Sequence, residues 1–155
     1  MTERTARGGA VEVRSLREAL DRGPVFLVFA KRHCPTCQYS LPFVDRIARS
    51  YPRSPVSVFL IAQENEKEAR RMVDDLDLQM AVLLDGPPCS VSEKYELTLV
   101  PTAFFVNSEG LIENVLEGFQ REALKAVNEQ IALAGSSSPT PLFTSSDGVP
   151  PFRPG

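Results

Sequence analysis

The chain is poor in metal-binding and disulfide-forming residues. It has three cysteines and one histidine in 155 residues. Three cysteines exclude a disulfide-dense scaffold, and a chain of this length buries enough core to fold without staples. No apolar run reaches the roughly 18 residues that a transmembrane helix requires. The opening MTERTARGGA is charged and has no apolar stretch of the kind a secretory signal carries. A basic stripe is also missing: 17 Lys and Arg are interspersed with 20 Asp and Glu, for a net charge of -3. Nucleic acid is therefore excluded as an expected partner. No internal repeat is present. These absences predict a cytoplasmic protein with no membrane association.

What is present reads as an ordinary globular domain, with 43% hydrophobic and 24% charged residues. Ser15 and Glu18 have the spacing of a capping box, and Leu16, Ala19 and Leu20 share one helical face until Gly23-Pro24. Three short apolar runs, PVFLVFA from Pro24, PVSVFLIA from Pro55 and MAVLL from Met80, predict buried strands. Helical periodicity separates them: Val44, Ile47, Ala48 and Tyr51, then Ala69, Met72, Val73 and Leu76. Pro42 is expected to kink the first of these helices. Lys67, Arg70 and Arg71 read as a solvated helix face, and Asp85 as a turn residue. A short helix is expected over Ser90 to Glu96. TAFFV and LIENVL flank Asn107-Ser108-Glu109-Gly110 as a hairpin, and Leu124, Val127 and Ile131 mark a last helix. Strands that alternate with helices should be parallel, with the hairpin antiparallel at one edge. Residues 135–155 hold five of the 13 prolines and predict no regular structure, although Leu142, Phe143, Val149 and Phe152 could dock parts of them.

Chemistry concentrates in HCPTCQ, His33 to Gln38. Zinc needs four ligands, and only Cys89 and His33 remain to complete a set. His33 is adjacent to Cys34, which is poor ligand geometry. A redox pair fits better, because Cys34 ends a strand and opens a helix. First-turn N–H groups and the helix dipole stabilise a thiolate there, and Lys31 and Arg32 are expected to add positive potential. Cys37, one turn further, is expected to be more buried and in reach of a disulfide. His33 should line the rim, either as a bystander or as a proton shuttle. Cys89 follows the third strand's C-terminal end, on the same sheet edge as Cys34. It is either an inert half-buried thiol or a third redox thiol.

The strand PVFLVFA, the motif Cys34-Pro35-Thr36-Cys37, Pro42 five residues on, and Val100-Pro101-Thr102 before the hairpin resemble a thioredoxin-like domain. The extra helix and strand before Pro101, and the stretch VPTAFFVNSEGLIENVLEGF, are similar to the TlpA-like and peroxiredoxin-like (redoxin) branch. The resemblance implies an α/β thioredoxin-like fold. In it a mixed sheet of three parallel strands plus an antiparallel hairpin is flanked by helices, with a βα-type insertion before the cis-proline. It covers residues 13–134, leaving 1–12 as an N-terminal extension and 135–155 as a Pro/Ser/Gly-rich irregular tail.

By the same resemblance, Cys34 is the nucleophile and Cys37 the resolving thiol. Pro101 is a cis-proline that faces them, and Val100, Pro35 and Thr36 border the substrate. The implied activity is thiol–disulfide exchange with protein thiols and disulfides, fed by an electron-donor reductase. A monomer is expected, with no metal or organic cofactor beyond the cysteine pair. Val28 stands where thioredoxins carry a buried acid, and Ser40 where several TlpA-like reductases carry a glutamate. Water or His33 is left as the proton acceptor for Cys37. Two rival readings stay open: a peroxiredoxin-type thiol peroxidase with an antioxidant role, and a redox-silent binding module. Against the peroxidase, neither cysteine has the P-x-x-x-T/S-x-x-C context. Counting back from Cys34 gives Lys31 and Leu27; counting back from Cys37 gives Cys34 and Ala30.

Overall fold

Six consecutive apolar residues, Val25–Ala30, form β1, and every one is buried. Such a strand needs cover on both faces, and that requirement organises the chain around it. A computed structural model describes residues 16–155. The expected capping residue Ser15 and the extension 1–12 lie outside the described residues.

The elements run α1 (Leu16–Arg22), β1, α2 (Pro35–Ser50), β2 (Ser57–Ala62), α3 (Glu66–Asp75), β3 (Ala81–Leu84) and α4 (Ser90–Lys94). They continue with β4 (Thr102–Val106), β5 (Ile112–Glu117), β6 (Phe119–Gln120), α5 (Arg121–Ala134) and β7 (Phe152–Arg153). The main sheet has the order β3-β2-β1-β4-β5. β1 pairs in parallel with β2, and β2 with β3, so that Ala30, Ala62 and Leu84 end in line. β4 runs antiparallel to β1 and to β5. This is the expected mixed sheet, with the hairpin on one side. The hairpin turn is held by the Asn107 side chain, which accepts from the N–H groups of Glu109 and Leu111, both at 3.0 Å. Gly110 supplies the positive φ, +83°, that the turn demands.

Alternation along β1 feeds two cores. Phe26, Val28 and Ala30 face α2, α3 and α5, meeting Leu41, Ile47, Met72, Leu124 and Ile131. Val25, Leu27 and Phe29 face the other side, meeting Ala19 of α1 and Val91 and Tyr95 around α4. Fully burying such side chains stabilises the fold by about 1.5–3 kcal/mol each.

α2 keeps its expected span, whereas α4 ends early for a local reason. α2 runs through Pro42 without ending, as an unbroken helix to Ser50. α4 stops at Lys94, and Glu96 two residues later takes φ +53°, which no right-handed helix can include.

Residues 135–155 carry no regular element except the two-residue β7, and three of the four apolar residues expected to dock anchor them. Leu142 is buried and Phe143 stacks at 5.0 Å on Phe43. The Tyr51 hydroxyl accepts from the Thr140 N–H at 2.8 Å, and Asn128 donates to the Thr140 carbonyl at 2.9 Å. The tail ends in β7, antiparallel to β6. Side chains of α2 and α5 thus satisfy the tail's backbone groups, which replaces the ladder its prolines cannot form. Of the four apolar tail residues, Leu142, Phe143 and Val149 pack on the core, whereas Phe152 stays 54% exposed.

Candidate active site

Cys34 sits at the junction that the sequence pattern marks. It is the N-cap of α2, with extended backbone (φ -124°, ψ 110°), and Pro35 opens the helix behind it. Pro35 costs nothing there, since its missing N–H would have no partner in the first turn. The Cys34 sulfur accepts from the Cys37 N–H at 3.1 Å, so it takes the place of a capping oxygen.

Cys34 and Cys37 are joined in a disulfide with Cα atoms 5.1 Å apart. Cys34 is partly exposed and Cys37 is fully buried. Across from them the Val100–Pro101 bond is cis. The Val100 carbonyl oxygen lies 3.6 Å from Cys34 Sγ. Pro101 itself is buried, and Thr102 clamps the loop by donating its hydroxyl to the Leu99 carbonyl at 2.9 Å.

Two other elements, α3 and α4, flank this centre. The loop before Cys34 is tethered to α3 by Arg32. Its backbone N–H donates to Glu64 at 2.9 Å, and its guanidinium pairs with Glu68 at 2.8 Å and Asp75 at 3.0 Å. The expected positive potential from Arg32 therefore needs correction, because its charge is paired with the carboxylates of Glu68 and Asp75 on α3. Arg32 in turn holds the Glu68 carboxyl below the usual range, chiefly through their hydrogen bond. Lys67 is exposed on that helix, and Arg70 and Arg71 make surface pairs with Glu66 and Glu68.

Asp85 does more than turn the chain. It is buried and accepts from the N–H groups of Val91 and Ser92 at 3.0 and 2.8 Å and from the Ser92 hydroxyl at 2.6 Å. It thereby caps α4, a task that Cys89 in the N-cap position does not perform with its side chain. Cys89 has φ +59° and remains a free, partly exposed thiol. It lines an open cleft of about 560 Å³ together with Lys31 and Val100, so it is on the active-site side and not bonded to Cys34. Burial, then Asp85, pushes its thiol above the ordinary value.

His33 is exposed at the rim. Among the described residues no three His, Cys, Asp or Glu side chains cluster as metal ligands would. The structure thus brings Cys34, Cys37, Pro35, Thr36, Val100 and Pro101 into one site, with His33 and Cys89 flanking it. The residues that sequence reasoning missed are Arg32 as a tether and the tail segment Phe152–Gly155. The Thr36 hydroxyl donates to the Pro154 carbonyl at 2.6 Å. The only sequence signal for that contact was the tail's apolar content, which points to docking but not to a place.

Comparison with known proteins agrees with this geometry. The model of the family described as Redoxin matches residues 8–131. The thiol-disulfide oxidoreductase ResA of Halalkalibacterium halodurans is 29% identical over 110 residues, covering 70% of this chain and 61% of the relative. The chain thus spans about three fifths of the length of the curated relatives it matches. A putative thiol:disulfide interchange protein DsbE from Chlorobium tepidum superposes with a TM-score of 0.72 at 20% identity, covering 87% of this chain and 92% of that one. A secreted Mycobacterium tuberculosis disulfide oxidoreductase homologous to E. coli DsbE gives a TM-score of 0.64 at 18% identity, covering 81% and 92%. These structures share the thioredoxin-like fold.

Proposed function

The chain belongs to the redoxin family, and from that premise we propose that it is a thiol–disulfide oxidoreductase acting on protein substrates through Cys34 and Cys37. One observation carries the reading. A partly exposed cysteine caps a helix, its partner lies buried one turn along, and a cis X–Pro bond faces the pair.

In the reducing direction the Cys34 thiolate attacks one sulfur of a substrate disulfide. A Cys34–substrate bond forms, the substrate S–S bond breaks, and the leaving thiolate takes a proton. The Cys37 thiolate then attacks Cys34 Sγ. The Cys34–Cys37 bond forms, the mixed disulfide breaks, and the second substrate thiol leaves. The substrate gains two electrons and the pair loses two, which a reductase must return. The first-turn N–H groups of α2 stabilise the Cys34 thiolate both as attacking and as leaving group. Val100, Pro101, Pro35 and Thr36 form the substrate border. The cysteine pair is the redox group, with no metal or organic cofactor, and the protein works as a monomer. Water or His33 serves as the proton acceptor for Cys37; His33 is exposed at the rim and Cys37 is fully buried.

No observation favours the peroxidase reading, with its antioxidant role. Cys89 is the thiol it would need as a resolver, yet Cys89 is free while Cys34 is bonded to Cys37, and neither Cys34 nor Cys37 has the P-x-x-x-T/S-x-x-C context. Purified protein assayed with oxidised insulin and a dithiol donor should reduce the insulin, and Cys34→Ser should abolish turnover. Consumption of hydrogen peroxide without disulfide reduction would overturn the assignment; inertness in both assays would leave a binding module.

Compartment is part of the proposal. No described helix is long and apolar enough to cross a membrane. The sequence predicts the cytoplasm, whereas one protein of the same fold is secreted. Fractionating cells that carry the tagged chain decides this: recovery outside the cytosol sinks the cytoplasmic placement.

A further inference from the structure

The segment Phe152–Gly155 crosses the border assigned above to substrate. On one side it is a strand, β7, paired with β6 so that Arg153 is opposite Phe119 and Phe152 opposite Gln120. β6 follows Gly118, whose N–H donates to the Pro101 carbonyl at 2.8 Å. Gly118 has φ +70°, and a Cβ there would stand 2.6 Å from the Arg153 carbonyl oxygen. The segment is thus seated against the backbone that carries the cis bond. On the other side it grips α2. The Pro154 carbonyl accepts from the Thr36 hydroxyl, and the Arg153 guanidinium lies 4.4 Å over the Tyr39 ring. Its tip reaches the cis-proline loop. A Cβ on Gly155 would lie 2.5 Å from the Val100 carbonyl oxygen and 2.7 Å from Leu99 Cδ1. That carbonyl is the one facing Cys34 Sγ at 3.6 Å.

An extended polypeptide approaching Cys34 needs the same groups: backbone partners at Val100 and a polar anchor on the motif helix. Strand addition beside an exposed backbone is a general way to bind such a segment. We propose that Phe152–Gly155 is an internal occupant of the polypeptide-substrate groove, which polypeptide disulfides must displace and small disulfides need not. The proposal rests on the thiol–disulfide reading. The occupant is not locked in. Its strand is two residues long, Phe152 is 54% exposed, and Cys34 beside it stays partly exposed. Displacement therefore competes with substrate binding, and the apparent affinity falls by the fraction of molecules with the groove open. The segment acts on specificity, not on the chemistry of the pair.

The test uses the whole 155-residue chain with Arg153→Ala and Gly155→Val. The first change removes the cation from Tyr39; the second puts a side chain where the Val100 carbonyl leaves no room. Both residues lie outside the two hydrophobic cores. KM for oxidised insulin should fall about five- to tenfold, the reciprocal of the open fraction in the unsubstituted chain. kcat/KM for hydroxyethyl disulfide should stay within about twofold, because that substrate does not need the groove. A fluorescein-labelled peptide VPPFRPG, residues 149–155, should bind the reduced variant saturably and the unsubstituted chain about five- to tenfold more weakly, by the same competition. Gly155→Val alone should move both readouts in the same direction, which keeps the test valid if the double variant misfolds. Equal KM values for insulin, or equal peptide binding to the two proteins, would overturn the proposal. If neither protein reduces any disulfide, the thiol–disulfide reading fails, and the peptide comparison still decides whether the groove has an internal occupant.

Discussion

Cys34 Sγ faces the carbonyl oxygen of Val100 at 3.6 Å, across 66 positions of sequence. The contact is created by two neighbours in the sheet: β1 leads into the motif loop, and β4 follows the cis-proline. It places the exposed sulfur, and not the buried one, beside the backbone that a substrate would meet.

The first prediction follows from that asymmetry. In the reduced protein, iodoacetamide at mildly acidic pH should label Cys34 well before Cys37, since only Cys34 caps the helix and reaches solvent. Mass spectrometry of the timed digests reads the order. Labelling of Cys37 first, or of both together, would reverse the proposed roles. Cys37→Ser should accumulate a mixed disulfide with substrate, because nothing remains to release it.

The second concerns Arg32, which ties the motif loop to Glu68 and Asp75 of α3. Arg32→Met should lower the melting temperature at neutral pH. Glu68 is depressed in the folded state, its hydrogen bond from Arg32 being the largest cause. Its contribution is therefore complete above the unfolded-state value of about 4.3–4.5 and is lost as pH falls through the lower folded value. The gap in melting temperature between Arg32→Met and the unsubstituted chain should narrow below about pH 4.5. A gap independent of pH down to acid unfolding would mean that the tether is packing alone.

The third concerns Asp85 and Cys89. Asp85→Ala leaves the Val91 and Ser92 N–H groups without their acceptor. It should cost about 1–3 kcal/mol in urea unfolding, the range for lost caps and unsatisfied buried donors. Asp85→Asn keeps an acceptor and removes the charge. Since Asp85 is one of the groups that raise the Cys89 thiol, the pH profile of Cys89 alkylation should move to lower pH in that variant. An unmoved profile would assign the shift to burial alone.

The fourth concerns Phe119, which is buried and stacks on Tyr39 at 5.2 Å, Phe43 at 5.9 Å and Phe143 at 6.0 Å. Phe119→Ala should destabilise the protein by about 3–5 kcal/mol. It should also loosen the tail, because Phe143 loses a partner ring. Limited proteolysis should then cut between residues 135 and 150 faster than in the unsubstituted chain. A loss of stability with no change at those sites would separate the tail from this cluster.

Local pattern alone determined much of this protein. The apolar runs VFLVFA, VFLIA and AVLL are strands because short β-branched and aromatic runs bury on both faces. Cys34 before a helical period, and Val100-Pro101-Thr102 before a hairpin, marked both halves of the site. These features depend on neighbours within one or two turns of chain, which is the range over which composition and periodicity carry information.

Tertiary structure decided the rest. Arg32 looked like a source of positive potential, but α3, 36 and 43 residues away, supplies its carboxylates. Cys89 reads as either an inert half-buried thiol or a third redox thiol; in the fold it is a free thiol at the edge of a cleft, raised by burial and then by Asp85. The tail reads as irregular with apolar residues that could dock, but distant partners set where it docks: the Thr36 hydroxyl donates to the Pro154 carbonyl across 118 positions. Prolines remove local hydrogen-bond donors, so the tail has no periodicity to read. Its conformation is selected by partners on α2, β6 and α5, and those surfaces exist only after the sheet has brought distant segments together.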